Sequence, residues 1–446
     1  MLKEASSSCA LGKISLTLAV AVALISAALI VRSYMPCPFG DEWFFIDAIA
    51  RGSGPSSWQW LWSQHNEHRL VITRLLVWLD LSAFHGNNVS LFVGTYLILT
   101  VHWAAICYAL ERFTDFPAPL KRTLQGLFGF CIFHPNQSEN LTWAFQVSFV
   151  LAFAIATMAL LAATFLRQMR WPRLATLGVA VAPILAAMNV AGGLLIGPVV
   201  LGLALIRRFR IRFIATVLVC FALSAGAYLW HLNPPDASYP PVRALADPKG
   251  IFVYVLTYFG ASWTRLLPHK ERITALLSII CFTVIVVRSV RKKGRTTDFE
   301  WFCIGECSLM LAVSVATALG RLKFGVGQAF ASRYQTPAML YWAALGSLVL
   351  ITVWRSRPAK FRLAQTVLVL IMFLSMLTFF RMWSITITRA DSLQRACAAL
   401  IKGSDDKQTA KTLGALDAGI EPGAALLRKT WSGMPVRSDE QKGIQH

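Results

Sequence analysis

Four short stretches of this 446-residue chain carry side chains suited to acid–base or anion-binding chemistry. The first is Gly40-Asp41-Glu42-Trp43. Two adjacent carboxylates can supply a general base, and as a pair they can bind a divalent cation. Acids in a first helical turn also complement the helix dipole, so a plain helix start fits equally well. The second is His65-Asn66-Glu67-His68-Arg69, which crowds four ionisable groups into five positions. His65 and His68 could share a helical face, but the H-E-x-x-H spacing of a zinc site is absent. Read without function, the stretch is a solvated loop. The third runs from His134 to Gln146. Turn chemistry and an aromatic belt account for Pro135, Asn136 and Trp143, but less well for Glu139, Asn140 and Gln146. The fourth holds Arg321, Lys323, Gln328, Ser332, Arg333 and Tyr334 with no acid among them. Arginine suits bidentate phosphate binding. Arg265, His269, Lys270 and Arg272 form another basic group. Attraction to anionic headgroups would explain both groups as well.

The elements that position these groups are apolar helices. The chain is 56% hydrophobic and 15% charged, where an ordinary soluble domain carries about 25% charged residues. Its apolar residues come in blocks long enough to cross a hydrocarbon core of about 30 Å as helices. In lipid the backbone must satisfy its own hydrogen bonds, so the blocks are expected to be helical. Eleven spans are predicted, near 14–32, 89–110, 120–135, 143–166, 174–189, 190–206, 213–230, 273–288, 301–319, 336–354 and 361–380. The first block is longer than a signal-peptide core, and Arg32 and Tyr34 follow it. It reads as an uncleaved anchor. The expected fold is an all-α polytopic membrane helix bundle over residues 1–380, with a tail over 381–446.

Basic residues set the expected orientation. With the N-terminus in the cytoplasm, six short segments facing it hold 21 Lys and Arg against five Asp and Glu. They include Arg207–Arg212, the 288–295 run and Arg355–Arg362. Such a bias marks cytoplasmic loops. The formal net charge of +21 is therefore read as topology, and nucleic-acid binding is not expected. Two further apolar stretches would invert this pattern if they crossed. Arg69–Phe84 is expected to lie along the outer surface as an amphipathic helix, with Arg74 and Asp80 in the wet layer. Ile251–Leu267 is expected to be surface-lying or re-entrant. The 174–206 pair is a tight hairpin or a broken helix lining a cavity, with Asn189, Gly192 and Gly193 at its outer end. The first outer loop is 33–88. The N-terminus is placed in the cytoplasm of a bacterial inner membrane, and the tail outside.

Other candidates are weaker. Most of the nine cysteines lie inside apolar blocks as small hydrophobes, and no partners complete a metal set around Cys303 and Cys307. Glu306 and His102 lie inside spans. Glu306 is expected to snorkel or to pair with a cytoplasmic arginine. No internal repeat of fixed period appears.

An acidic pair directly after the first span of a protein with this many spans resembles the GT-C superfamily of membrane glycosyltransferases. The likeness is greatest to its protein O-mannosyltransferase and aminoarabinose-transferase branch. Those proteins carry a D-E-x-x-Y-x-x-x-A type stretch there. This chain reads Asp41-Glu42-Trp43-Phe44-Phe45-Ile46-Asp47-Ala48-Ile49-Ala50, with Phe45 in place of the tyrosine. It also looks like bacterial multispan proteins with N-E-H-R, E-N-x-x-W-x-F-Q and S-R-Y stretches, here Asn66–Arg69, Glu139–Gln146 and Ser332–Tyr334. The resemblance covers about residues 10–380.

It implies transfer of a sugar from a polyprenyl-phosphate donor to an acceptor glycan, lipid or protein. Asp41 would be the base and Glu42 its neighbour in catalysis. His65, Glu67, His68, Arg69, Glu139, Asn140, Gln146, Arg321, Arg333 and Tyr334 would bind substrates. A divalent cation on Asp41, Glu42 and Glu67 stays open. Three rivals share the location. A transporter or flippase of a lipid-linked saccharide predicts polar residues along a path deep in the spans. An O-antigen polymerase or ligase predicts a large outer loop late in the chain. A structural subunit needs no site at all.

Overall fold

The computed structural model describes residues 2–233, 241–291, 296–403, 407–415 and 421–432. Within them the chain is helical and forms no strand. The helices are α1 (Leu2–Ser33), α2 (Glu42–Ala50), α3 (Trp58–Trp62), α4 (Val71–Ala83), α5 (Val89–Phe113), α6 (Ala118–Ile132), α7 (Ser138–Thr142), α8 (Val147–Thr164) and α9 (Pro172–Ala187). They continue as α10 (Ile196–Ile206), α11 (Ile211–Leu229), α12 (Pro248–Gly260), α13 (Glu271–Arg291), α14 (Asp298–Arg321), α15 (Gln335–Ser356) and α16 (Pro358–Ile401). Two short helices end the described chain, α17 (Lys407–Thr412) and α18 (Glu421–Ser432). Local chemistry starts several of them. Pro172, Pro248 and Pro358 each open a helix where the missing N–H costs nothing. Thr297 and Glu300 form a capping box on α14.

Eight helices are long and apolar enough to cross a membrane: those containing α1, α5, α8, α11, α13, α14, α15 and α16. The other three predicted spans form shorter helices, α6, α9 and α10, of 15, 16 and 11 residues. The outward faces carry large apolar side chains, among them Val93 and Leu97, Leu223, Leu277 and Leu370. We refer to the end of the bundle that holds residues 33–88 as the head and to the other end as the base. Helices α1, α6 and α16 run in the same direction. Ser15 Oγ reaches Thr123 O at 3.2 Å and Met372 Sδ at 3.6 Å, and nearer the head Arg32 meets Asp391 at 2.8 Å. Gly126 makes the α1–α6 approach possible, because a Cβ there would meet Ser15 Oγ at 2.3 Å. At the base, Arg207 pairs with Asp298, and Arg355 with Glu300 at 2.7 Å. Of the basic run at 288–295, residues 292–295 lie outside the described residues.

Neither of the two questioned stretches traverses the bundle. Helix α4 has both ends at the head: Ile72 N donates to Met188 O, and Asp80 accepts from Asn88 N at 2.8 Å and Ser90 Oγ at 2.6 Å. Helix α12 begins against Leu322, and the turn after it bonds Gln335 through Ser262 at 2.8 Å. The expected wet placement of Arg74 and Asp80 is corrected, since both are buried. Arg74 Nη1 donates to Leu61 O and Ser63 O, at 3.0 and 2.6 Å. These charged groups satisfy loop carbonyls and a helix start instead of facing water. Glu306 is corrected too. It is fully buried and meets no arginine among the described residues, but accepts from Thr157 Oγ1 at 2.9 Å inside the core.

Helix α16 is 44 residues long, about 66 Å at 1.5 Å per residue, so it continues well past the predicted 361–380. Its head end holds Cys397, which forms a disulfide with Cys37. The tail then folds back over the first loop. Leu413 O accepts from Gly40 N at 3.0 Å and from Trp43 Nε1 at 3.2 Å, and Gly423 N donates to Asp47 at 2.8 Å. After α16, helix α17 is the first helical piece of this tail. The disulfide predicts that an alkylating mass tag labels seven cysteines in the denatured, unreduced protein and nine after reduction. Nine labelled without reductant would refute the pairing.

Candidate active site

The site begins at a glycine turn. Gly40 has φ +58°, and a Cβ there would meet the Trp143 ring at 2.9 Å. This turn places Asp41 at the N-cap of α2, where its carboxylate makes no capping bond. Asp41 Oδ2 instead lies 3.5 Å from His65 Nε2. The adjacent carboxylate departs from expectation. Glu42 turns away from the cavity and is fully buried, accepting from Phe145 N at 2.8 Å, Phe39 N at 3.2 Å and Asn88 Nδ2 at 3.3 Å. It ties α2 to the turn before α8 and to the start of α5.

His65 to His68 form a tight turn rather than a helix, which corrects the shared-face expectation. The two residues exchange backbone hydrogen bonds at 2.8 and 2.9 Å, and Asn66 takes φ +50°. The His65 ring packs against Phe44 and Phe45 with centroids at 5.2 and 5.5 Å. Its Nε2 has no hydrogen-bond partner among the described residues. Glu67 pairs with Arg321 of α14. Burial disfavours the Glu67 carboxylate, but His68 and Arg321 outweigh it and hold its pKa below the usual range. Burial pulls His68 down to about 4, against the pull of Glu67. The ring is therefore neutral at ordinary pH. Ala191 N donates to its Nδ1 at 3.1 Å, so the ring proton sits on Nε2, 3.6 Å from Glu67.

These groups line one cavity of about 350 Å³. Asp41, His65, Asn66, Glu67, His68, Gln146, Arg321, Arg333 and Tyr334 face it. Gln146 is buried there with an unpartnered Oε1. Deeper, the wall is apolar, with Phe149 and Phe153 from α8 and Val313 and Ala316 from α14. Three expected binding residues stand behind this surface. Arg69 donates to Tyr228 O at 2.8 Å and to the Trp62 and Trp230 carbonyls, which fixes the loop. Asn140 donates to Arg333 O and Thr336 Oγ1, at 2.9 and 2.7 Å. Glu139 accepts from Arg333 N at 3.0 Å and lies 3.7 Å from its guanidinium. It supports Arg333 from outside the cavity.

The structure adds Tyr258 and the Val190–Gly192 turn to the lining. The turn was legible as a glycine-rich hairpin end. Tyr258, stacked on Tyr334 at 5.5 Å, carried no sequence signal beyond its place in an apolar stretch. Among the described residues no three His, Cys, Asp or Glu side chains converge on a metal position. Glu42 points away from Asp41, and Glu67 is engaged by Arg321.

Comparison with family models, curated proteins and solved structures returns no match. The site therefore has to be read from its own chemistry.

Burial pushes Glu42 up to about 8, against the three donors that favour its charged form. A carboxyl with a raised folded pKa favours folding fully below its ordinary pKa of 4.5, and this contribution is lost as pH rises through about 8. Glu42→Gln cannot titrate and should flatten this part of the pH dependence. Thermal unfolding of the detergent-purified protein across that range measures it. A variant as pH-sensitive as the parent would contradict the assignment.

Proposed function

We propose that this chain is a membrane glycosyltransferase of the GT-C type. Its head faces away from the cytoplasm and it carries eleven spans, the short helices α6, α9 and α10 included. In this reading it moves a sugar from a polyprenyl-phosphate donor to an acceptor hydroxyl. The observation that carries the reading is the cavity. One carboxylate without a capping role and two arginines from a segment far along the chain face the same space, polar at the head and apolar below. The charge bias of the loops supports the orientation, and the Cys37–Cys397 disulfide at the head favours an oxidising compartment.

The chemistry follows from charge. Asp41 takes the proton of the acceptor hydroxyl, whose oxygen attacks the anomeric carbon from the face opposite the phosphate. The bond from that carbon to the phosphate oxygen breaks, and the configuration inverts. The electron pair leaves with the phosphate. Arg321 and Arg333 stabilise the charge that develops there. His65 Nε2 lies 3.5 Å from the Asp41 carboxylate. The donor's isoprenoid chain follows Phe149, Phe153, Val313 and Ala316 towards the bilayer. A transporter would need a polar path through the spans. Glu306 is instead bonded to Thr157 in the core, apart from the cavity lining.

Asp41→Asn keeps the shape of the side chain and removes the base. Transfer from a polyprenyl-phosphate sugar by purified membranes should fall roughly 10²–10⁴-fold, with expression unchanged. Arg333→Lys should lower transfer too, because lysine loses the bidentate grip on phosphate. Undiminished glycan production by the Asp41→Asn strain would instead favour the transporter.

A further inference from the structure

A second and larger cavity, of about 710 Å³, opens along the flank of the bundle between α13, α15 and α16, with α6 as part of its wall. It runs from Trp263 and Ser375 towards the head down to Arg288, Arg357 and Lys360 at the base. Its length is walled by apolar side chains such as Val349, Val353, Leu363 and Val367. Among the described residues, no Asp or Glu lines it. Two other arginines at the base are in ion pairs, Arg207 with Asp298 and Arg355 with Glu300. Arg288, Arg357 and Lys360 come from three places in the chain, the end of α13, the α15–α16 turn and the first turn of α16, and gather at one end of an apolar groove.

We infer that this groove is a binding site for an anionic phospholipid. The headgroup phosphate sits against Arg288, Arg357 and Lys360, and the acyl chains lie along Val349, Val353 and Val367. The charge distribution selects this occupant. Three cations at one end and hydrocarbon above match a molecule with one anionic end and an apolar body. A zwitterionic lipid carries its own cation and gains less from the cluster. Basic pockets between membrane helices hold anionic headgroups for this reason. The inference requires the membrane but not sugar transfer, since the groove shares no lining residue with the Asp41 cavity.

The test uses the full-length protein purified in detergent and given equal amounts of phosphatidylglycerol and phosphatidylcholine. Bound lipid is read by native mass spectrometry. Phosphatidylglycerol should be retained in preference. Replacing Arg288, Arg357 and Lys360 together with Gln should reduce that preference by up to roughly a hundredfold, the sum for three cations near a headgroup. A control triple variant, Arg173→Gln, Arg210→Gln and Arg212→Gln, changes basal charge by the same amount outside the groove and should keep it. Val349→Trp fills the groove and should weaken binding with the cations intact. Size-exclusion elution checks that each variant is folded. Three results would overturn the inference: a preference that survives the first triple variant, an equal loss in the control, or full binding in folded Val349→Trp. A purified dimer that Val349→Trp dissociates would assign the groove to a second copy of the chain and overturn it too.

Discussion

Charge at the lip of an apolar bundle must be hydrated, paired or bonded, because burying it alone is costly. The Glu67–Arg321 pair meets this constraint and organises the head around it. It joins the first loop to the end of α14, across 254 residues of sequence. The neighbouring groups are arranged by the same demand. His68 is neutral and fixed by Ala191 N, and Arg69 is spent on the backbone carbonyls of Tyr228, Trp62 and Trp230. Arg333 is backed by Glu139. Asp41 differs from these. Its side chain is 37% exposed and lies 3.5 Å from the His65 ring. A carboxylate left this accessible beside buried, satisfied charges is the group best placed to exchange a proton with a ligand.

Much of this was legible in the sequence. Apolar blocks gave the long helices, and three of the four polar stretches supply the cavity's charged lining, the other adding Gln146. What was not legible is direction. Asp41 and Glu42 are adjacent and chemically alike, yet they have opposite fates. Helix α2 turns successive side chains about 100° apart, so one faces the cavity and the next faces Phe145 N and Asn88. No composition argument separates them. Arg69 and His68 diverge in the same way within one tight turn. The cysteines fail for another reason. Cys37 and Cys397 stand 360 residues apart, and only the parallel course of α1 and α16 brings them together. The short helix α6 was read as a span by hydropathy. At 15 residues it depends on packing through Gly126, whose partner Ser15 no local pattern reveals.

The tail, the least informative part of the sequence, has a clear task in the structure. Leu413 O accepts from Gly40 N and Trp43 Nε1, one residue before and two after Asp41. Gly423 N donates to Asp47 on the same short helix, and the disulfide anchors the tail four residues before Asp41. A nine-residue helix is below the length that is stable alone. Its position therefore depends on what packs on it, which is the tail on one side and Glu42's three donors on the other.

These constraints bear on how an anionic donor would be received. Arg321 is already neutralised by Glu67, so a phosphate arriving at Arg321 meets a carboxylate as well as a cation. Binding then requires Arg321 to be shared or Glu67 to move. Glu67 sits in the turn closed by His65 and His68, and His65 is the neighbour of Asp41. Glu67 and the His65 ring beside Asp41 thus belong to one turn, closed by two backbone hydrogen bonds. Arg333 is paired more loosely, with Glu139 at 3.7 Å from outside the cavity. In the proposed reaction Arg333 would be the standing phosphate receptor. Arg321 would be the conditional one, since a phosphate there would have to share it with Glu67.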